Sequence, residues 1–250
     1  DLIIGAFFAD PNGNNNAGES YVVFGQAEGF GATLELSALD GTNGFVINGI
    51  DEDDNSGFSV SSAGDINGDG LDDLIIGAYP ADSNGNKGAG ESYVVFGRAE
   101  GFEAGFELSE LDGTNGFVIN GIDERDFSGS SVSGAGDVNG DGIDDLIIGA
   151  PSAGPNGNMD AGESYVVFGR RANQAPRLSL DITAFTVAEN TTLVTDLNAT
   201  DDADSEGNGL IYQPSGGDDQ ALFALDADTG ELTFLTPPDF ENPLDRGADI

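Results

Sequence analysis

Whole segments of this chain recur at one fixed interval, which limits it to folds built from stacked copies of a small unit. Asp-Leu-Ile-Ile-Gly-Ala begins at Asp1, Asp73 and Asp145, and Gly-Glu-Ser-Tyr-Val-Val-Phe-Gly begins at Gly18, Gly90 and Gly162. Asp-Gly-Thr-Asn-Gly-Phe-Val-Ile-Asn-Gly-Ile-Asp begins at Asp40 and Asp112. Every interval is 72 residues. In the second repeat, four short runs rich in Val, Ile, Phe or Tyr are predicted as strands, at 73–78, 92–96, 116–120 and 129–133. Gly, Asn and Asp fence each one. Helical periodicity is nearly absent; residues 104–111 are predicted to hold one short turn. Four strands per repeat is the blade of a β-propeller, which closes with roughly four to eight blades. Two and a half repeats do not close a ring, so further blades are expected before Asp1, and the chain reads as a piece of something longer.

Each repeat carries an acidic loop just ahead of an apolar strand. The first complete copy is Asp65-Ile-Asn-Gly-Asp-Gly-Leu-Asp-Asp73, and the second is Asp137-Val-Asn-Gly-Asp-Gly-Ile-Asp-Asp145. Side-chain oxygens stand at positions 1, 3, 5 and 9, and glycines at 4 and 6 let the backbone turn tightly. A chain wraps a hard cation in this way. Asp65, Asn67, Asp69 and Asp73 can each offer a side-chain oxygen, and Leu71 its carbonyl. An EF-hand would need a bidentate Glu at position 12 and then a helix. Here position 12 is Ile76 inside an apolar run, so the loop opens a strand. A plain Asp69-Gly70 hairpin turn is the bland alternative, and the spaced acceptors exceed what a turn requires.

The charge balance agrees with a cation-binding role. There are 46 acidic and 7 basic side chains, a formal net charge of −39. Such a chain repels nucleic acid and anionic membranes and suits cations or a salty exterior. It has no Cys, His or Trp. That excludes thiol redox chemistry, thiolate or imidazole metal sites and His-based triads. No run reaches the ~18 apolar residues of a membrane-spanning helix.

Gly57-Phe-Ser-Val60, the 64–70 loop, Asp73-Leu-Ile-Ile-Gly-Ala78 and Tyr93-Val-Val-Phe96 together resemble the FG-GAP repeat. That repeat builds the β-propeller of integrin α chains and of many bacterial secreted proteins. The resemblance covers residues 1–169. It implies that the loops bind Ca²⁺ on one propeller face, through Asp65, Asn67, Asp69, the Leu71 carbonyl and Asp73, then Asp137, Asn139, Asp141, the Ile143 carbonyl and Asp145. The literal Gly-Ala-Pro of the family stands only at Gly149-Ala-Pro151, and an Asn/Gly-rich loop lengthens each repeat. That added loop spaces oxygens at alternate positions, with Asp82 and Glu91 or Asp10 and Glu19, which allows a second cation site; a solvated Asn/Gly turn is the favoured reading.

The register ends after Gly169. Residues 170–176, Arg-Arg-Ala-Asn-Gln-Ala-Pro, read as an interdomain linker. Residues 177–250 hold strand-like runs at 185–187, 193–197, 210–213, 222–225 and 231–235, which predict a β-sandwich. Ala188-Glu-Asn190, Ala199-Thr-Asp-Asp-Ala-Asp204, Phe223-Ala-Leu-Asp-Ala-Asp-Thr-Gly230 and Asp239-Phe-Glu241 resemble a cadherin repeat in its bacterial cadherin-like form. The resemblance implies further Ca²⁺ ligands at Glu189, Asp202, Asp204, Asp239 and Glu241. The linker lacks the aspartates of a full cadherin linker, and the domain is expected to be truncated at Ile250.

The expected fold is therefore all-β: incomplete FG-GAP propeller blades followed by a truncated cadherin-like sandwich. The expected role is a calcium-binding structural or adhesion module of a large extracellular bacterial protein, secreted or at the cell surface. Its partner would be a cell-surface protein, a polysaccharide or a like copy. An alternative is a glycan- or protein-binding propeller accessory to a secreted hydrolase. Catalysis by the chain itself is not expected, because its Asp pairs recur identically in each repeat whereas a catalytic site is singular.

Overall fold

The computed structural model describes residues 1–27, 29–171, 177–178, 190–197, 199–200, 211–213 and 220–237. By contact density the chain divides into two units, Asp1–Ala172 and Asn173–Ile250.

The first unit is built from β1 (Leu2–Ala6), β2 (Glu19–Val23), β3 (Gly44–Asn48), β4 (Ser59–Gly64), β5 (Asp73–Ala78), β6 (Glu91–Val95), β7 (Gly105–Glu107), β8 (Gly116–Asn120), β9 (Ser131–Gly136), β10 (Asp145–Ala150) and β11 (Glu163–Val167). These strands form three small sheets with orders β1-β2-β3-β7, β4-β5-β6-β8 and β11-β10-β9. All pairings are antiparallel except β3 with β7, which is parallel.

The sheets are out of phase with the sequence repeat. The four runs expected to share one blade were 73–78, 92–96, 116–120 and 129–133. The observed sheet takes β4 from the preceding repeat, and the run near 131 opens the next sheet. Long-range antiparallel pairing decides this, and periodicity along the chain cannot show it. Near the expected turn at 104–111, β7 is followed by a 3₁₀ turn over Leu108–Glu110. This segment crosses back to the first sheet, where the Phe102 ring stacks on Phe45 with centroids 4.0 Å apart. The Glu107 carboxylate accepts from the amide groups of Asn48 and Asn12 at 2.6 and 3.1 Å.

Strand alternation puts apolar residues on both faces, and neighbouring sheets bury those faces against one another. Ile76, Tyr93 and Val95 of the middle sheet join Val22, Phe45 and Ile47 of the first in one core. From its other face, Ile75 and Val94 join Val132, Leu146 and Ile148 of the third sheet. Glycine allows this closeness. A Cβ on Gly77 would lie 2.0 Å from the Gly129 carbonyl oxygen, and one on Gly5 would lie 1.9 Å from that of Gly57.

In the second unit, β12 (Arg177–Leu178) pairs with β14 (Ala199–Thr200), and β13 (Leu193–Asp196), β16 (Glu231–Phe234) and β15 (Phe223–Leu225) form a sheet of order β13-β16-β15. Phe223 and Phe234 pack across its pair of strands, 4.6 Å between ring centres. The expected runs at 193–197, 222–225 and 231–235 thus correspond to β13, β15 and β16. Residues 211–213 carry no strand, and the run at 185–187 lies outside the described residues.

Candidate metal centre

The loop from Asp65 to Asp73 joins β4 to β5, and the loop from Asp137 to Asp145 joins β9 to β10. Both are hairpin connections on successive sheets. Gly68 and Gly70 take φ of 72° and 90°, and Gly140 and Gly142 take 80° and 85°. These are left-handed values that favour glycine.

The two loops close through the same hydrogen bonds. The Asp65 carboxylate accepts the amides of Asp69 and Gly70 at 3.0 and 2.9 Å. Asp137 accepts those of Gly142 and Asp141 at 2.9 and 3.0 Å and also that of Gly140 at 2.6 Å, and the bonds from Gly142, Gly140 and Asp141 hold its carboxyl below the usual carboxylate range. The Asn67 and Asn139 oxygens accept the Asp69 and Asp141 amides at 2.8 and 2.9 Å. Asp69 and Asp141 in turn accept the Leu71 and Ile143 amides at 2.8 and 2.9 Å.

The ninth position of each loop is fully buried: Asp73 and Asp145 are both 0% exposed. Asp73 accepts the Ile66 amide at 3.0 Å and the Gly97 amide at 2.8 Å. Asp145 accepts the Val138 and Gly169 amides at 2.8 and 2.9 Å. Each thereby ties the first half of its loop to the chain leaving the third strand of its sheet. Burial pushes the Asp73 carboxyl up to about 6, and Asp69 and Asp65 push it the same way.

Among the described residues no three acidic side chains converge closely enough to hold a metal ion. The structure brings Asp65, Asn67, Asp69 and Asp73 into one loop, as it does Asp137, Asn139, Asp141 and Asp145. It directs their oxygens to backbone amides. The donor set still fits a hard cation. It consists of carboxylate, amide and carbonyl oxygens, and a carboxylate oxygen bonded to one N–H keeps a lone pair for a second partner. Asn67 and Asp69 also line an open cleft of about 580 Å³ with Leu71, Phe96, Arg98 and Asn115. Glu189, Asp202, Asp204, Asp239 and Glu241 lie outside the described residues.

Sequence reasoning missed a second acidic group. Burial first, then the nearby charges of Glu91, Asp51, Asp82 and Asp53, push the Asp54 carboxyl up to about 7. At the next seam burial and Asp123 push Asp126 upward, and Glu163 adds to this. The signal was present in Ile50-Asp-Glu-Asp-Asp54 and Ile122-Asp-Glu-Arg-Asp126, which share the 72-residue register. The added Asn/Gly loop folds as a 3₁₀ turn in each copy. Asp82 and Asp10 each cap it by accepting a backbone amide, from Gly88 and Asn16. The third copy keeps the same left-handed Asn156 with Gly154 in place of the Asp.

Two stretches of the chain match the FG-GAP repeat, residues 56–95 and 128–167. Each spans the first three strands of a sheet and its acidic loop. The chain is 33% identical to integrin alpha-PS2 of Drosophila melanogaster over 117 residues, covering 45% of this chain and 8% of that protein. It is 34% identical to integrin alpha-5 of Xenopus laevis over 102 residues, covering 39% of this chain and 9% of that protein. It is 30% identical to the phosphatidylinositol-glycan-specific phospholipase D of Bos taurus over 175 residues, covering 67% of this chain and 20% of that protein. The matched stretch thus spans a fifth or less of each of these relatives.

Proposed function

We propose that this chain is a calcium-binding adhesion module of a large extracellular bacterial protein, secreted or held at the cell surface. One observation carries the reading. Two loops of the same donor pattern, closed by the same hydrogen bonds, sit at equivalent hairpins of adjacent sheets within stretches that match the FG-GAP repeat. The integrin relatives support an adhesive role. Asp65, Asn67, Asp69, Asp73 and the Leu71 carbonyl would hold one ion, and Asp137, Asn139, Asp141, Asp145 and the Ile143 carbonyl a second. The bound ion supplies positive charge that fixes the loops. The partner would be a cell-surface protein, a polysaccharide or another copy, and the chain itself would be non-catalytic.

Extracellular modules bind Ca²⁺ with constants near ~10⁻⁴–10⁻³ M. At ~1 mM free ion, one such site adds only about 0.4–1.4 kcal/mol, so dependence on calcium needs several sites acting together. The cadherin-like assignment of residues 177–250, with Glu189, Asp202, Asp204, Asp239 and Glu241 as ligands, would add further sites and belongs to the same proposal.

Calorimetric titration with Ca²⁺, paired with melts in calcium and in chelator, tests the reading. At least two sites and a lower melting temperature in chelator are expected. Asp69→Ala should remove one site and leave the other. Absence of calcium heat from a folded chain would sink the proposal.

A second reading is favoured by the phospholipase D relative, whose similarity covers more of this chain than the integrins do. In that reading the propeller blades are a glycan- or protein-binding accessory to a secreted hydrolase. A glycan array with and without calcium tests this reading: binding of defined glycans is expected, and a silent array would sink glycan binding and leave adhesion through protein.

A further inference from the structure

Arg98 carries an unspent positive charge in a chain crowded with carboxylates. The sequence holds 46 acidic side chains and 7 basic ones, yet among the described residues the Arg98 side chain makes no ion pair or hydrogen bond. Rings hold its guanidinium instead: the Phe102 centre lies 4.9 Å away and the Phe106 centre 5.0 Å. Phe102 is itself stacked on Phe45, and Phe106 is buried in the same core. Two ring contacts fix a guanidinium while using none of its N–H donors.

The arrangement is particular to the second repeat. One period earlier Gln26 stands in place of Arg98 and Leu34 in place of Phe106, while Phe30 matches Phe102. The charge and the second ring arrive together. One period later Arg170 repeats the charge, with Gln174 and Leu178 in place of the two rings.

Arg98 lines the cleft of about 580 Å³ beside the first complete acidic loop, with Asn67, Asp69, Phe96, Thr114 and Asn115. Sites for small ligands occupy about 300–1,000 Å³. The polar walls are fixed by bonds of their own. Asn67 donates to the Asp69 carboxylate and accepts the Asp69 amide. Thr114 donates to Asp112, and Asn115 donates to the Glu110 carbonyl while accepting the Asp112 amide. Glu100 lines the cleft as well and forms no ion pair with Arg98.

We propose that this cleft is a binding site for a uronate sugar, whose carboxylate pairs with the Arg98 guanidinium. A guanidinium fork matches a carboxylate through two parallel N–H···O bonds. Phe96 supplies an apolar wall for the sugar ring, and the oxygens of Thr114 and Asn115 keep lone pairs for its hydroxyls. The net charge of −39 repels a long polyanion, so the site suits a single uronate within a largely neutral polysaccharide. The inference rests on a polysaccharide as the chain's partner and needs no ion in the loops.

The probe is a disaccharide of glucuronate and glucose, set against its carboxyl-reduced form, added to the full chain. Saturable binding of the acid form is expected, with a shift of the Arg98 Nε–H resonance, and the reduced form should bind at least about tenfold more weakly. Arg98→Gln, which installs the residue of the first repeat, should weaken binding by a similar factor with an unchanged circular dichroism spectrum. Arg98→Lys keeps the charge without the fork and should recover only part of the loss. The proposal is overturned by no binding at about 10 mM sugar, by equal binding of the two sugars, or by full binding to Arg98→Gln. Tighter binding of an acetylated aspartyl peptide than of the uronate overturns the sugar assignment. Neutral glycans that bind the parent and Arg98→Gln equally, with the uronate silent, overturn this site while glycan binding itself stands.

Discussion

The Asp144 carboxylate accepts the backbone amide of Asp65 at 3.0 Å. The eighth residue of one acidic loop thus holds the first residue of the other. Two backbone bonds flank the contact: the Asp144 amide donates to the Asp65 carbonyl at 3.3 Å, and the Arg170 amide to the Ile66 carbonyl at 2.8 Å. The two loops are therefore one mechanical unit, although 72 residues separate them in sequence.

Asp144→Ala removes an acceptor and leaves the partly buried Asp65 amide without it. A loss of about 0.5–1.5 kcal/mol is expected in denaturant melts. Asp72→Ala is the matched control at the same loop position. Asp72 is exposed, and its change should stay within about 0.5 kcal/mol. Equal losses from both would contradict the link between the loops.

Asp73→Ala should be the most damaging loop substitution, even in chelator. It strips acceptors from the Ile66 and Gly97 amides, for a loss of about 2–4 kcal/mol. Asp73→Asn keeps one oxygen acceptor and should recover part of it. The comparison is read from urea midpoints in chelator, where no ion contributes.

Asp54 makes the first seam sensitive to pH. Its carboxyl is raised in the fold to about 7, against about 3.9 in an unfolded chain. Its contribution is fully present below about pH 4 and is lost as the pH rises through about 7. In chelator, Asp54→Asn should match the parent near pH 4 and be more stable than it at pH 8. A constant difference between the two across that range would refute this account.

Gly77→Ala should separate the middle and third sheets. The added methyl would meet the Gly129 carbonyl oxygen at 2.0 Å, with backbone on both sides of the contact. A loss of about 1–3 kcal/mol is expected from such overpacking. Gly85 has nothing within 4 Å but sits at φ +81, so Gly85→Ala should lose only the roughly 1 kcal/mol of a left-handed alanine. Thermal melts of the two variants distinguish crowding from backbone strain.

Much of this was legible in the chain. Asp73-Leu-Ile-Ile-Gly-Ala78 reads as a strand because β-branched and apolar residues are fenced by Asp and Gly, and β5 has those bounds. The loop was legible because its glycines and acceptors stand at fixed offsets, and local hydrogen bonds close such a loop whatever lies beyond it. Asp54 was not legible. Its carboxyl is raised first by burial at a seam that no local pattern announces, and then by charges that include Glu91 and Asp82, far along the chain.

The repeat by itself determined an all-β chain with short strands and two equivalent acidic loops, because strand propensity, turn chemistry and Asx hydrogen bonds act over a few residues. The tertiary structure decided which strands share a sheet. It drew β4 to β5 across a repeat boundary, laid β7 against β3 and joined the loops through Asp144. Those outcomes depend on pairing and packing between residues distant in sequence, where identical segments such as the three Glu-Ser-Tyr-Val-Val strands meet different neighbours.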